Sequence, residues 1–216
     1  MACITRMADL PDLQFENELW KGGLRWVAGL DEAGRGALAG PVAVGAVILP
    51  ADDPHLSQTL ACSRDSKQMT PHQRDLCAPI IKKMALTWSV AFSTADEIDA
   101  IGIVAATRLA AARAFAGLSL TPDYLLTDFR LEIPECDTPQ TSLVKGDALS
   151  LSIASASVLA KITRDALMCE LDVQYPGYGL RQNKGYGTQV HRSAMMRLGY
   201  SSVHRKSFVL KELRST

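Results

Sequence analysis

The first legible element is a short apolar run at residues 25–30 that leads into two carboxylates, Asp31 and Glu32. After a glycine-rich turn, residues 42–49 are apolar on both faces, which predicts a strand in the middle of a sheet. Pro50 and the cluster Asp52-Asp53-Pro54 end it. Residues 71–86 predict a helix with Pro71 in its first turn and Leu76, Ile80, Ile81 and Met84 along one side. Trp88, Val90 and Phe92 alternate with polar or small residues and predict another strand. The alanine-rich stretch 96–117 predicts one long helix, with Ile98, Ile101, Leu109 and Phe115 as its apolar members. Residues 124–126 and 142–144 read as two short strands. Residues 150–171 read as a second long helix, with Leu159, Ile162, Ala166 and Cys169 near one face. Strands alternating with helices predict an α/β layer structure, and two early strands joined by a short turn make part of the sheet antiparallel. The expected organisation is a body over residues 1–180 with a basic, helical C-terminal extension over 181–216 packed on it.

Composition narrows the classes. Hydrophobic residues make up 47% of the 216, enough for a sizeable core and too many for a disordered chain. The formal net charge of zero argues against a generic polyanion binder, but it is a cancellation. Residues 1–60 hold four Lys/Arg against eight Asp/Glu, residues 61–180 eleven against fourteen, and residues 181–216 eight against one. Such asymmetry hints at a nucleic-acid contact, with a solvated basic helix as the commoner alternative. The five cysteines form no C-x-x-C pair, and their odd number and scatter predict reduced thiols in a cytoplasmic protein. Four acidic residues and no apolar run in the first twenty positions give no signal-peptide pattern. The longest apolar stretch, 37–49, is broken by Gly40, Pro41 and Gly45, so no membrane span is expected.

Four carboxylates sit at or just beyond apolar, strand-like runs: Asp31, Glu32, Asp128 and Asp147. Strand ends open into the crevices where ligands of α/β sheets bind. Clustered carboxylates repel one another until a cation neutralises them, and oxygen donors without Cys or His suit Mg²⁺ or Mn²⁺. Two such ions held roughly 3.5–4 Å apart can activate water and stabilise the leaving oxygen of a phosphodiester. Taken singly, an Asp after a strand is more often a turn former or helix cap, and Asp147 could cap the helix near Ser150. The weight lies in the four together.

Asp31-Glu32-Ala33-Gly34-Arg35-Gly36 continues as Ala37-Leu38-Ala39-Gly40-Pro41. Glycines around Arg35 let the backbone approach a ligand, so main-chain groups could read a sugar hydroxyl while Arg35 meets a phosphate. With its preceding carboxylates, this segment resembles the signature of ribonuclease HII, the type 2 ribonuclease H family. The resemblance extends over nearly the whole chain. It takes in Asp65-Ser66-Lys67, Leu125-Leu126-Thr127-Asp128, Lys145-Gly146-Asp147, the small-residue stretch 152–165, Lys184-Gly185-Tyr186-Gly187-Thr188 and His204-Arg205-Lys206-Ser207-Phe208.

The resemblance implies a ribonuclease H-like mixed sheet flanked by helices, with Asp31, Glu32, Asp128 and Asp147 as catalytic, metal-binding carboxylates. It further implies that Gly34, Arg35 and Gly36 recognise the ribose 2′-hydroxyl, that Tyr186 stacks on the deoxyribose that follows, and that Ser66 and Lys67 lie near backbone phosphates. Asp165, acidic and inside a family motif, is expected to be a salt-bridging residue and is left out of the site. Ala37, Phe129 and Asn183 depart from the family's proline, glycine and histidine, and the Asp128–Asp147 interval is about one residue longer. None of these removes a metal ligand.

At the basic end, Arg181, Lys184, Arg192, Arg197, Arg205, Lys206, Lys211 and Arg214 could track duplex phosphates. Tyr175, Tyr178, Tyr186 and Tyr200 are interleaved with them, and half-buried packing is an equal alternative for each. His191 and His204 read as structural or phosphate-contacting residues, and Trp20, Trp26 and Trp88 as core or boundary. The expected activity is endonucleolytic: hydrolysis of the RNA strand of RNA–DNA hybrids and cleavage 5′ of ribonucleotides embedded in duplex DNA. A two-metal reaction would leave 3′-hydroxyl and 5′-phosphate ends. A non-catalytic hybrid-binding module and a DNA-junction nuclease of the same fold are the rivals. A monomer without membrane association is expected.

Overall fold

The two apolar runs that open the chain pair first. β1 (Val27–Ala33) and β2 (Val42–Ile48) lie antiparallel with Asp31 opposite Gly45, in a computed structural model that describes residues 10–129 and 131–208. β3 (Thr87–Ser93) adds antiparallel outside β2. On the other side β4 (Tyr124–Asp128) runs parallel to β1, and β5 (Gln140–Leu143) parallel to β4. The order β3-β2-β1-β4-β5 is the mixed α/β sheet expected, and helices cover both faces.

Strand alternation divides the side chains of β1. Ala28 and Leu30 pack with Val42, Val44, Ala46 and Ile48 against two helices, α4 (Ala95–Ile101) and α5 (Ile103–Ala116). Val27, Gly29 and Asp31 face the opposite layer, where the long helix α6 (Leu151–Gln174) crosses the sheet. Every residue from 151 to 160 is buried there. A β-carbon added at Gly29 would overlap the Ser152 carbonyl carbon, and one added at Gly45 the Ala156 oxygen. The helix therefore lies with its serine and alanine face directly on the strands. That approach brings the Ser157 hydroxyl to Asp31. Behind α6, a third layer contains α2 (Leu56–Thr59) and α3 (Pro71–Met84), packed through Leu56, Leu60, Met69, Cys77, Ile81 and Leu159.

Local chemistry explains the boundaries. Thr70 and Gln73 form a capping box before α3, Thr94 and Glu97 another before α4, and the Ser150 hydroxyl accepts from the Ile153 N–H at the start of α6. The expected helix at 96–117 is two helices: Gly102, at φ 80°, breaks it. The exposed side of α3 carries Leu76 (60% exposed) and Ile80, contrary to expectation. Arg74 turns inward instead, donating to the Ser66 and Met69 carbonyls at 2.8 and 2.6 Å, and the buried face is Arg74, Cys77, Ala78 and Ile81. In α6, Ala166 is exposed, while Arg164 and Met168 are buried. The expectation that all cysteines are reduced is corrected: packing of the α2 turn on α3 places Cys62 and Cys77 with Cα atoms 5.7 Å apart, joined in a disulfide. Cys136 and Cys169 are free thiols, and Cys3 lies outside the described residues.

An unpredicted helix, α1 (Gln14–Lys21), buries Glu16, whose Oε1 accepts from the Ser150 hydroxyl and from the Ser152 amide and hydroxyl at 2.6–2.9 Å. At the C-terminal end, α7 (Leu180–Asn183) and α8 (Gln189–Leu198) supply the expected helices. One apolar cluster takes Ala39 and Met168 from one side of residue 180 and Ala194 and Met195 from the other. Lys211 and Arg214 lie outside the described residues. Among the described residues, no helix is long and apolar enough to cross a membrane.

Candidate active site

The site grows from the parallel contact of β1 and β4. Leu30 stands opposite Thr127, so the next residues, Asp31 and Asp128, come level where the pairing of the two strands ends and β4 finishes. β1 runs on through Ala33, so Asp31 and Glu32 lie inside the strand rather than beyond it. Asp31, Glu32 and Asp128 each present an oxygen within 4.8 Å of the others. Asp128 is held by the Gly146 N–H, which donates to its Oδ1 at 2.7 Å. Asp147 follows in the 3-10 turn Gly146–Ala148, 6% exposed and outside that triad of oxygens. Its carboxylate lies 3.9 Å from the Lys67 Nζ. Ser150, and not Asp147, caps α6.

Crowding and burial shift these groups together. Burial, followed by the neighbouring Glu32 carboxylate, pushes Asp31 well above the usual carboxylate range, while the Ser157 hydroxyl opposes. Burial and Asp128 raise Glu32 against the pull of Arg35 and Lys67. Burial and a close Asp65 carboxyl push Asp147 up to about 6. Burial acts to lower Lys67, but Asp31 and Asp147 outweigh it and its pKa is raised. Asp31 Oδ2 and Glu32 Oε2 are buried without a hydrogen-bond partner. Buried oxygens left in that state are costly, and a hard divalent cation is the group that suits them.

A cleft of about 440 Å³ opens beside the carboxylates, lined by Glu32, the Gly34–Gly36 turn, Ser66, Lys67, Arg74, Lys161 and Tyr186. The structure thus brings together the residues expected to bind metal and substrate, with Asp147 reached through Lys67. Arg35 lies 3.9 Å from Glu32. Tyr186, 37% exposed, has its ring centroid 5.6 Å from both the Lys161 ammonium and the Arg164 guanidinium. Ser66 is buried, and its hydroxyl pairs with that of Ser157 at 2.9 Å, so it braces the segment that carries Lys67. Asp165 is a salt-bridging residue, 2.7 Å from Lys161 and 3.5 Å from Arg74. A larger cavity of about 550 Å³ at the α4–α5 junction has no carboxylate in its lining.

Two arginines beside the turn are turned inward. Arg164 and Arg205 are fully buried, and each spends its guanidinium on three main-chain carbonyls around the turn. Arg205 is therefore withdrawn from the set that could track phosphates. Burial lowers the pKa of both. Tyr175 and Tyr178 are likewise committed, to the Ser202 hydroxyl and the Gly199 carbonyl. Asp65, Ser157, Lys161 and Arg164 are the site residues that sequence reasoning passed over, and Arg205 was given a phosphate-tracking role instead. All five lie inside the motifs 65–67, 152–165 and 204–208, which gave a local signal without these roles.

A family model described as Ribonuclease HII matches residues 28–211. The ribonuclease HII of Synechococcus sp. (strain JA-3-3Ab) is 51% identical over 207 residues, 95% of this chain and 91% of that protein. Among solved structures, ribonuclease H2 from Pyrococcus horikoshii OT3 superposes with a TM-score of 0.70 at 23% identity, over 84% of this chain and 93% of that one. Bst-RNase HIII in complex with Mn²⁺ gives 0.67 at 17% identity, over 86% and 67%. The two structures share the fold, a mixed sheet with flanking helices.

Proposed function

This chain belongs to the ribonuclease HII family of endoribonucleases, and from that premise we propose that it hydrolyses the RNA strand of RNA–DNA hybrids and cuts 5′ of ribonucleotides embedded in duplex DNA, leaving 3′-hydroxyl and 5′-phosphate ends. The observation that carries the reading is the meeting, at one cleft, of the Asp31–Glu32–Asp128 cluster with the Gly34–Gly36 turn and Tyr186.

Asp31, Glu32 and Asp128, with Asp147 beside them, would hold Mg²⁺ or Mn²⁺; the unpartnered Asp31 and Glu32 oxygens support that fit. When bound, two such ions supply neutralisation of the carboxylates, activation of water and stabilisation of the leaving oxygen. The remaining work belongs to the chain. The Gly34–Gly36 main chain meets the 2′-hydroxyl, the group that separates RNA from DNA, and Arg35 meets the adjoining phosphate. Tyr186 packs on the following deoxyribose. Lys67, 69% exposed at its side chain, reaches from the Asp147 side to the backbone phosphates. Exposed Arg181, Arg197 and Lys206 add a salt-sensitive attraction for duplex. The proposal includes a body over residues 1–180, a C-terminal extension over 181–216, a monomer, and a cytoplasmic location with the nucleic acid it acts on.

The test uses a uniform RNA–DNA hybrid and an all-DNA duplex with Mg²⁺, Mn²⁺ or EDTA. The hybrid is expected to be cut with either ion and spared in EDTA. Cutting of the all-DNA duplex would establish the DNA-nuclease rival, and binding without cutting the non-catalytic one.

A further inference from the structure

Arg205 follows α8 and is fully buried. Its Nη2 donates to the Gly34 carbonyl and its Nη1 to the Arg35 carbonyl, both at 2.8 Å, while its Nε donates to the Gly40 carbonyl at 3.0 Å. Its own N–H donates to the Leu38 carbonyl at 2.8 Å, and His204 pairs with Ala39 in an antiparallel bridge. One residue thus ties both limbs of the turn between β1 and β2. The Phe208 ring lies 5.2 Å from the same guanidinium.

A trans peptide points its N–H and C=O in opposite directions, and no peptide among the described residues is cis. The Gly34 carbonyl shares a peptide with the Arg35 N–H, and the Arg35 carbonyl with the Gly36 N–H. With both carbonyls drawn onto Arg205, both N–H groups are turned the other way, toward the cleft that Arg35 and Gly36 line. Neither N–H has an acceptor among the described residues. Consecutive main-chain donors held in this way form a concave pair suited to one oxygen.

We propose that Arg205 is a positioning residue for ribonucleotide selection: its fork on the Gly34 and Arg35 carbonyls aims the Arg35 and Gly36 N–H groups, as a pair, at the ribose 2′-oxygen. Arg205 touches no substrate and acts through the main chain. The proposal rests on the ribonucleotide-cleaving reading of the cleft and adds what sets its selectivity. A lysine cannot take over the role, because a single ammonium lacks the planar fork that holds two limbs at once.

The experiment measures binding in EDTA, without turnover, to a DNA duplex carrying one ribonucleotide and to the same duplex in DNA alone, for the wild-type chain and Arg205→Lys. The amide signals of Arg35 and Gly36 are followed by NMR in both. Arg205→Lys is expected to lose about tenfold or more in preference for the ribonucleotide duplex while its affinity for all-DNA duplex stays within about twofold. The two amide signals should shift on adding the ribonucleotide duplex to wild type and stay in place in the variant. Retained preference in Arg205→Lys overturns the proposal. So does equal loss on both duplexes, the result expected of a residue that only supports the fold. A wild-type chain that binds both duplexes alike overturns the underlying reading of the cleft as well. If Arg205→Lys does not fold, Phe208→Leu decides, since it removes the ring beside the guanidinium and keeps an apolar side chain against the core cluster that Phe208 also meets: partial loss of preference supports the role, and unchanged preference overturns it.

Discussion

On one side of the Gly34–Gly36 turn, Asp31 and Glu32 are buried with one oxygen each lacking a partner; on the other, Arg164 and Arg205 are buried with a carbonyl on each guanidinium nitrogen. Both sides remove charge from water, which is unfavourable unless partners replace the solvent. The arginine side is complete within the chain, because six carbonyls do the work of water. The carboxylate side is incomplete, and its residues repel one another. The difference separates two kinds of buried charge: guanidiniums matched to carbonyls hold a shape, and carboxylates crowded against one another have the chemistry that suits a cation.

The comparison breaks most visibly at Asp31. Asp31→Asn should lower cleavage by about 10³-fold or more in single-turnover assays while leaving duplex affinity near wild type. In EDTA the same variant should be more stable by roughly 1 kcal/mol, since a carboxylate that the fold must crowd has gone. Near-wild-type turnover would remove Asp31 from the reaction. On the finished side the expectation reverses. Arg164→Ala leaves the Pro41, Ala39 and Lys184 carbonyls without their donor and should cost roughly 3 kcal/mol in urea unfolding. A cost near zero would mean that the guanidinium is dispensable to the fold.

A smaller effect comes from the histidine pair beside the arginines. The Ser201 N–H donates to His204 Nδ1 at 3.1 Å, so His204 Nε2 carries the proton that bridges to His191 Nε2 at 3.2 Å. His191 Nδ1 then donates to the Tyr186 carbonyl at 3.0 Å. Burial, and then His191, push the His204 pKa down to about 4 from 6.5. Between those values the unfolded chain binds the proton more readily. The contribution is therefore fully present above pH 6.5 and is lost as pH falls toward 4, on the order of 2 kcal/mol. The raised carboxylates of Asp31 and Asp147 act in the opposite sense, so the check is a difference. Urea midpoints of wild type and His204→Gln, compared between pH 7 and pH 4.5, should show a steeper acid loss in wild type, and parallel profiles would refute the assignment.

Legibility follows the same division. The apolar runs at 42–49 and 124–126 announced β2 and β4 because buried strands need little beyond continuous hydrophobicity. Asp128 was legible from its place at a strand end, and the set of four carboxylates from the family motifs. The helix α1 was not, since its buried residue is Glu16, held by serines about 135 positions away. Arg74, Arg164 and Arg205 escaped for a related reason: a basic residue in sequence is assigned to solvent, and only tertiary carbonyls reverse that. The Cys62–Cys77 pairing depends on the packing of α2 against α3, which cysteine spacing does not encode.

The most direct measurement is the position and chemistry of the cut in a DNA duplex carrying a single ribonucleotide, incubated with Mg²⁺ or Mn²⁺ and end-mapped. The account predicts one incision immediately 5′ of the ribonucleotide, with 3′-hydroxyl and 5′-phosphate ends, none on the all-DNA duplex and none in EDTA. Incision on the 3′ side, cyclic phosphate ends, or equal cutting of the all-DNA duplex would contradict it.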